Sequence, residues 1–366
     1  MKKICWVTFC GFLDTDIGIV PLLTRFYNIN WFVISDKELT DFTPALEKGS
    51  KCRTIVQRYR DRDIRNIYFW GKLCRMIRKE SPSIVYISGL SMPYFYPVVD
   101  CFFSKNHLIH AAHNVIPYEG WPHRRMMSLY VKYVLGNHNN IHVFSRFLVD
   151  YLKENYPDKN VLYAPMTLKD FGDCQNLPKR DSCVRFLFFG NVKSNKRLDL
   201  LICAFKNMPL EYRQKSELTI AGKCEEKDLY LKLIEKEERI RVRFERIEDA
   251  EIPELFSLHD FLVLPYENVA QSGPHMIAYN YNMPVIASNI DGFKERIINM
   301  EDGYLFEVNN EHSLCTVLMK AIDNYGEYDQ MVTKLKSVVK KKFSNEVITR
   351  KYKLYLDKII ECNEKH

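Results

Sequence analysis

The sequence predicts an α/β protein of two tandem domains, each a parallel sheet with crossover helices. Three observations predict it. Short runs rich in β-branched and aromatic residues alternate with amphipathic stretches from end to end, the pattern of parallel strands joined by helices. One aperiodic stretch rich in Asp, Lys, Asn and Pro, residues 166–184, interrupts that alternation near the middle and reads as a linker. The length of 366 residues, at about 150 per domain, allows roughly two domains with cores that need no staples.

In the first domain, 1–165, the expected strands are Lys3 to Phe9, Trp31 to Ser35, Ile84 to Ser88, His107 to Ala111, Ile141 to Phe144 and Val161 to Tyr163. Amphipathic helices over Ile64 to Lys79 and Arg124 to Val134 lie between them. The first run follows Lys2-Lys3 but meets Asp14 and Asp16 without a small-residue cleavage site, so it reads as a buried strand and not a leader. In the second domain, 185–343, strands are expected at Arg185 to Phe189, Leu218 to Ala221, Arg241 to Phe244, Phe261 to Leu264 and Val285 to Ala287, with helices opening at Lys196 and Pro274. In the last segment, 344–366, Val347, Tyr352, Tyr355, Leu356, Ile359 and Ile360 share a face and predict a closing helix that could pack on either domain. Two such domains are expected to face each other across a cleft.

Composition excludes several classes. A hydrophobic share of 46% with 14 Gly and 15 Pro is that of an ordinary globular chain. Eleven scattered cysteines without a C-x-x-C pair argue for reduced thiols in a cytoplasmic protein and against a zinc ribbon. No apolar run reaches the 18 or so residues a spanning helix needs. The net charge of +7 is too weak for this length to argue for nucleic acid.

Three segments carry candidate chemistry. In Phe188-Phe189-Gly190-Asn191-Val192-Lys193-Ser194-Asn195-Lys196-Arg197 a strand ends in Gly, a basic turn follows and a helix opens; backbone N–H groups, a helix terminus and cations then converge as a diphosphate requires. In Leu264-Pro265-Tyr266-Glu267-Asn268-Val269-Ala270-Gln271-Ser272-Gly273-Pro274-His275 a strand empties into a polar loop, Pro274 suits a first helical turn, and Gly273 admits close approach of an anion. In His110-Ala111-Ala112-His113-Asn114-Val115-Ile116-Pro117, polar groups end a first-domain strand, with His110 read as a core residue. Solvated or structural turns are the bland alternative for each.

Together these segments resemble the family 4 glycosyltransferases of the GT-B fold, in particular the polysaccharide-assembly type. The resemblance covers Arg185 to about Val308 and, more thinly, the His113 region; it includes the Thr219-Ile220-Ala221-Gly222 strand end, the acidic helix Asp249 to Leu258, Met283-Pro284-Val285 and Asp302-Gly303. It implies two Rossmann-like domains, an acceptor side in the first and a nucleotide-sugar site in the second. It further implies that Lys196, six residues after Gly190, contacts the donor diphosphate, and that His113 and Asn114 face the transferred sugar. Donor contacts are implied at Gly190, Asn191, Lys193, Lys196, Arg197, Gly222, Ile247, Glu267, Gln271, Ser272, Gly273 and Pro274.

The chain departs from the pattern where the family carries two glutamates eight residues apart: those positions hold Val269 and Ile277. Glu267 or His275 is a candidate replacement. Asp14-Thr15-Asp16 and Asp61-Arg62-Asp63 are not in the context of a metal-nucleotide site, so no metal and no cofactor is expected; Asp14 or Asp16 is a candidate acceptor base. The segment Arg58 to Lys79 mixes Arg58, Arg60, Arg62, Arg65, Lys72, Arg75, Arg78 and Lys79 with Tyr59, Tyr68, Phe69 and Trp70, which suits either an anionic membrane surface or a solvated helix.

The resulting expectation is a cytoplasmic, metal-independent transferase moving a sugar from a UDP- or GDP-sugar to a glycan or lipid-linked glycan acceptor in surface polysaccharide synthesis, with peripheral contact at the inner membrane face and no nucleic-acid partner. A nucleotide-sugar 2-epimerase of the same fold and a catalytically degenerate partner subunit are the alternatives.

Overall fold

The computed structural model describes the chain except for residues 40–41, 61–62, 90–94, 117–123, 175–181 and 366. Its contacts divide it into two compact units, Met1–Thr167 with Phe343–His366, and Leu168–Lys342.

Among the described residues, the first unit contains seven strands: β1 (Lys3–Phe9), β2 (Asn28–Ser35), β3 (Lys51–Val56), β4 (Ile84–Ser88), β5 (Leu108–Ala112), β6 (Asn140–Val143) and β7 (Asn160–Tyr163). All pair in parallel in the order β3-β2-β1-β4-β5-β6-β7. β4 and β5 are buried throughout and β1 and β2 at all but their first residue, as expected of a sheet covered on both faces. β3 has no fully buried residue, which is why no apolar run announces it.

Aromatic packing fills this core. Trp6 stacks on Tyr86 at 3.7 Å, and the Trp31 Nε1–H donates to Thr8 Oγ1 at 2.8 Å. His142 is wholly buried; its Nε2 lies 2.9 Å from the Ala164 carbonyl and its Nδ1 2.6 Å from the Tyr86 hydroxyl. That pairing fits a neutral ring donating from Nε2, in accord with burial pushing its pKa down to about 3.

The closing helix spans Asn345–Glu364 and groups with the first unit. Its buried face is Ile348, Thr349, Tyr352, Tyr355, Leu356, Ile359 and Ile360; Val347, expected there, is only partly buried. Tyr355 donates to the Asn160 carbonyl and the Tyr27 hydroxyl donates to Asp357, both at 2.6 Å.

The second unit contains β8 (Val184–Phe189), β9 (Ser216–Ala221), β10 (Ile240–Arg243), β11 (Phe261–Leu264), β12 (Val285–Ser288) and β13 (Gly303–Phe306). They form a parallel sheet in the order β10-β9-β8-β11-β12-β13. The chain grows outward from β8 to β10, then returns to the other side of β8 with β11. β8 and β11 therefore flank the point where strand order reverses, where open α/β sheets place ligand sites outside the carboxyl ends. No helix among the described residues is long and apolar enough to cross a membrane.

Candidate donor site at the strand-order reversal

The two second-domain segments singled out from sequence converge at that reversal. β8 ends at Gly190, whose φ of +106° suits glycine, and β9 ends at Gly222 with φ +145°. A Cβ on Gly222 would lie 2.2 Å from the Gly190 carbonyl oxygen, so the two strand ends touch through backbone. The Gly190 N–H donates to Ala221 O at 2.9 Å and the Val192 N–H to Lys223 O at 2.8 Å, continuing the pairing into the turn.

The turn then tightens into a single 3₁₀ turn, Ser194–Lys196, before the helix Leu198–Lys206, where sequence had the helix opening at Lys196. Arg197 joins them in a left-handed conformation, φ +47°, uncommon for a residue with a side chain. Its guanidinium bonds both carboxylate oxygens of Asp199, at 2.9 to 3.2 Å, and contacts Asn309. Arg197 is thereby a brace for the turn, not the free phosphate cation expected from sequence.

Lys196 is different. Its Nζ lies 5.4 Å from the centroid of the Tyr266 ring, and a Cβ on Gly190 would meet Nζ at 3.2 Å and Pro274 Cγ at 3.4 Å. Gly190, Lys196, Tyr266 and Pro274 thus surround one point. Lys196 pairs with no carboxylate among the described residues, and burial, with a smaller contribution from the Lys193 charge, lowers its pKa to about 8. An ammonium held out of water without a counter-charge is poised for an anion.

The opposite wall is the helix Gly273–Asn280. Ser272 caps it, its hydroxyl oxygen accepting from the His275 N–H at 3.4 Å, and Pro274 occupies the first turn. First-turn N–H groups have no acceptor within their own helix and carry the positive end of its dipole. The loop before it is pinned: a Cβ on Gly292 would lie 2.2 Å from Val269 O, Ser288 donates to the Tyr266 carbonyl, and Glu267 N donates to Asn195 O at 2.9 Å. Lys169 adds a cation missed from sequence; its Nζ would meet a Cβ on Gly273 at 3.0 Å. Lying in an aperiodic stretch, it carried no signal of its own.

The remaining predicted donor residues spread around this centre. Asn191, Lys193 and Glu267 are exposed, Gln271 is half-buried, and Ile247 is buried in the loop after β10, at the far edge of the sheet. His275 cannot replace a missing glutamate: it is fully buried, with its ring edge-on to Tyr279 at 4.2 Å and both ring nitrogens unpartnered among the described residues. Ile277, at the second glutamate position, is likewise core.

In the first unit, His113 follows β5 and is sandwiched between Phe12 at 4.1 Å and Phe144 at 4.3 Å. Asn114 closes a turn by accepting from the Ile116 N–H at 3.0 Å; Pro117 lies outside the described residues. His110 is fully buried, as read from sequence. Asp16 is no acceptor base in this arrangement, since it is 1% exposed and accepts from Trp6 Nε1 and Thr8 Oγ1 at 3.0 and 2.6 Å. Burial nevertheless lifts its pKa to about 6. Asp14 is exposed; Asp61 and Arg62 are outside the described residues. No group of three His, Cys, Asp or Glu suited to a metal occurs among the described residues.

Residues 174–338 match the family of glycosyl transferases group 1. No curated protein matches the chain. The fold is similar to that of sucrose-phosphate synthase from Thermosynechococcus elongatus, with 14% identity, 99% and 100% of the two chains covered and a TM-score of 0.78. It is also similar to a glycosyltransferase from Rickettsia africae (17%, 98% of each chain, 0.74) and to Anabaena HepE, solved with UDP and glucose (12%, 98% and 100%, 0.73). The two parallel sheets are those of the GT-B fold, and with the group 1 match over most of the second unit they indicate a glycosyltransferase.

Proposed function

We propose that the protein moves a sugar from a nucleoside diphosphate sugar, UDP- or GDP-linked, to a glycan or lipid-linked glycan acceptor. The observation that carries this reading is Lys196: a desolvated cation without a carboxylate partner among the described residues, at the strand-order reversal and facing the first turn of Gly273–Asn280. As the glycosidic bond breaks, negative charge grows on the departing diphosphate. A preorganised ammonium and the backbone N–H groups of Ser272 and Gly273 at the helix start stabilise that charge without reorganising, so they favour the transition state over the ground state. Charge neutralisation is assigned to these groups and not to a metal. His113 and Asn114 are proposed to contact the transferred sugar. HepE, solved with UDP-glucose, supports a nucleotide-sugar donor here.

The Ser272-Gly273 loop supports a place among family 4 enzymes of polysaccharide assembly. Peripheral contact with the inner membrane face is proposed for the start of the helix Asn66–Lys79, where Ile64, Ile67 and Tyr68 are 69%, 41% and 74% exposed beside Lys72 and Arg75.

Thermal unfolding against UDP, GDP, CDP, ADP, UMP and NAD tests the donor assignment. Ligand at about 100 times its Kd adds roughly 2.7 kcal/mol, a shift of several degrees. One nucleoside diphosphate is expected to raise the midpoint of the wild type and not of Lys196→Ala. No shift with any of them would overturn the reading in favour of a noncatalytic partner.

A further inference from the structure

The first unit holds a cavity that the donor chemistry does not use. It measures about 560 Å³ and opens beyond the carboxyl ends of β1, β2 and β3, lined by Phe9, Ile34, Ser35, Asp36, Gln57 and the run Arg58-Tyr59-Arg60. This is again the edge at which open α/β sheets take ligands.

The run is anchored at both ends. Gln57 is buried, its N–H donating to Ser35 O at 2.7 Å and its Nε2 to Tyr59 O at 3.0 Å. The Arg60 carbonyl accepts from the buried Asn66 Nδ2 at 2.8 Å. The Arg65 guanidinium covers the Tyr59 ring at 4.1 Å and is itself neutralised by Asp63. Arg58 and Arg60 are exposed, line the cavity and pair with no carboxylate among the described residues. Asp36 is the single acidic side chain among the described residues of the lining, against the two guanidinium groups of Arg58 and Arg60.

We infer that this cavity is the acceptor subsite and that Arg58 and Arg60 clamp a phosphate-type anion on the acceptor. Guanidinium forks suit the planar, bidentate recognition of such a group, while Asp36, Ser35 and Gln57 offer partners for sugar hydroxyls. The inference rests on the transferase reading and narrows its acceptor to one bearing phosphate or diphosphate, either as a soluble sugar phosphate or at the head of a lipid carrier.

The test uses the full-length protein with its donor site filled by saturating nucleoside diphosphate, so that added anions report on the second site alone. Inorganic phosphate and diphosphate are titrated by calorimetry, and phosphatidylcholine vesicles with and without phosphatidic acid are tested by co-sedimentation. The proteins are wild type, the Arg58→Ala/Arg60→Ala pair and the Arg58→Lys/Arg60→Lys pair. Both positions are exposed, so unfolding midpoints are expected to be unchanged. The Ala pair is expected to lose anion affinity by about tenfold or more, and the Lys pair to recover part of it. Dependence on the Arg pair in the soluble titrations assigns a phosphate group accepted from solution; dependence in the vesicle assay alone assigns a lipid carrier. Equal anion binding by wild type and the Ala pair overturns the subsite. If the nucleoside diphosphate itself does not bind, the donor reading has failed instead.

Discussion

Lys196→Met is expected to stabilise the unliganded protein at pH 7 while abolishing the midpoint shift produced by the nucleoside diphosphate. Burial lowers the Lys196 pKa from 10.5 to about 8, so the charged form is less favourable in the folded state than in the unfolded one. Removing the charge at pH 7 relieves that cost, about 1 to 3 kcal/mol, which raises the midpoint by a few degrees. The pH dependence has a definite sign. Between pH about 8 and 10.5 the unfolded chain holds a proton at this position that the folded protein has released, so wild-type stability rises with pH across that window. The advantage of Lys196→Met shrinks over the same window, as read from unfolding midpoints of both proteins between pH 7 and 10.5. Stability given up at one side chain in exchange for anion binding is a common signature of a functional position.

Gly222→Ala is expected to cost about 2 to 4 kcal/mol and to weaken nucleotide binding at a position with no side chain near the ligand. The new Cβ would meet the Gly190 carbonyl oxygen at 2.2 Å and its carbon at 2.6 Å, and at φ +145° no rotation of a side chain relieves the overlap. The Gly190 turn must therefore move, carrying Lys196 with it. Gly326→Ala is the matched control, since a Cβ there meets nothing within 4 Å. Denaturant midpoints and nucleotide titrations of the two variants should separate cleanly; equal behaviour would mean that the strand ends are not in register-critical contact.

The sequence made some of this architecture legible and hid other parts for physical reasons. Central strands such as β1, β4 and β11 are buried from end to end or nearly so, and an unbroken apolar run marks them. Two edge strands offer no such run: β3 has only exposed and half-buried residues, and β13 is four residues long beginning at Gly303. The Gly190 turn and the Ser272-Gly273 loop were legible because glycine, proline and a capping serine each state a backbone requirement. Their meeting at one point was implied by the family resemblance alone, because residue spacing does not show β11 returning beside β8. The commitment of Arg197 to Asp199, the burial of His275 and the approach of Lys169 to Gly273 are side-chain choices made by tertiary packing, outside the reach of spacing.

The measurement closest to the central claim is the Kd of the selected nucleoside diphosphate at pH 7 and pH 9 for wild type and Lys196→Arg. Over this range the diphosphate stays ionised, while a lysine with a pKa near 8 loses most of its charge and an arginine loses none. Wild-type affinity is expected to fall about tenfold between the two pH values and that of Lys196→Arg to stay level. Wild-type affinity that is the same at pH 7 and pH 9 would contradict the assignment of Lys196 as the cation that holds the diphosphate.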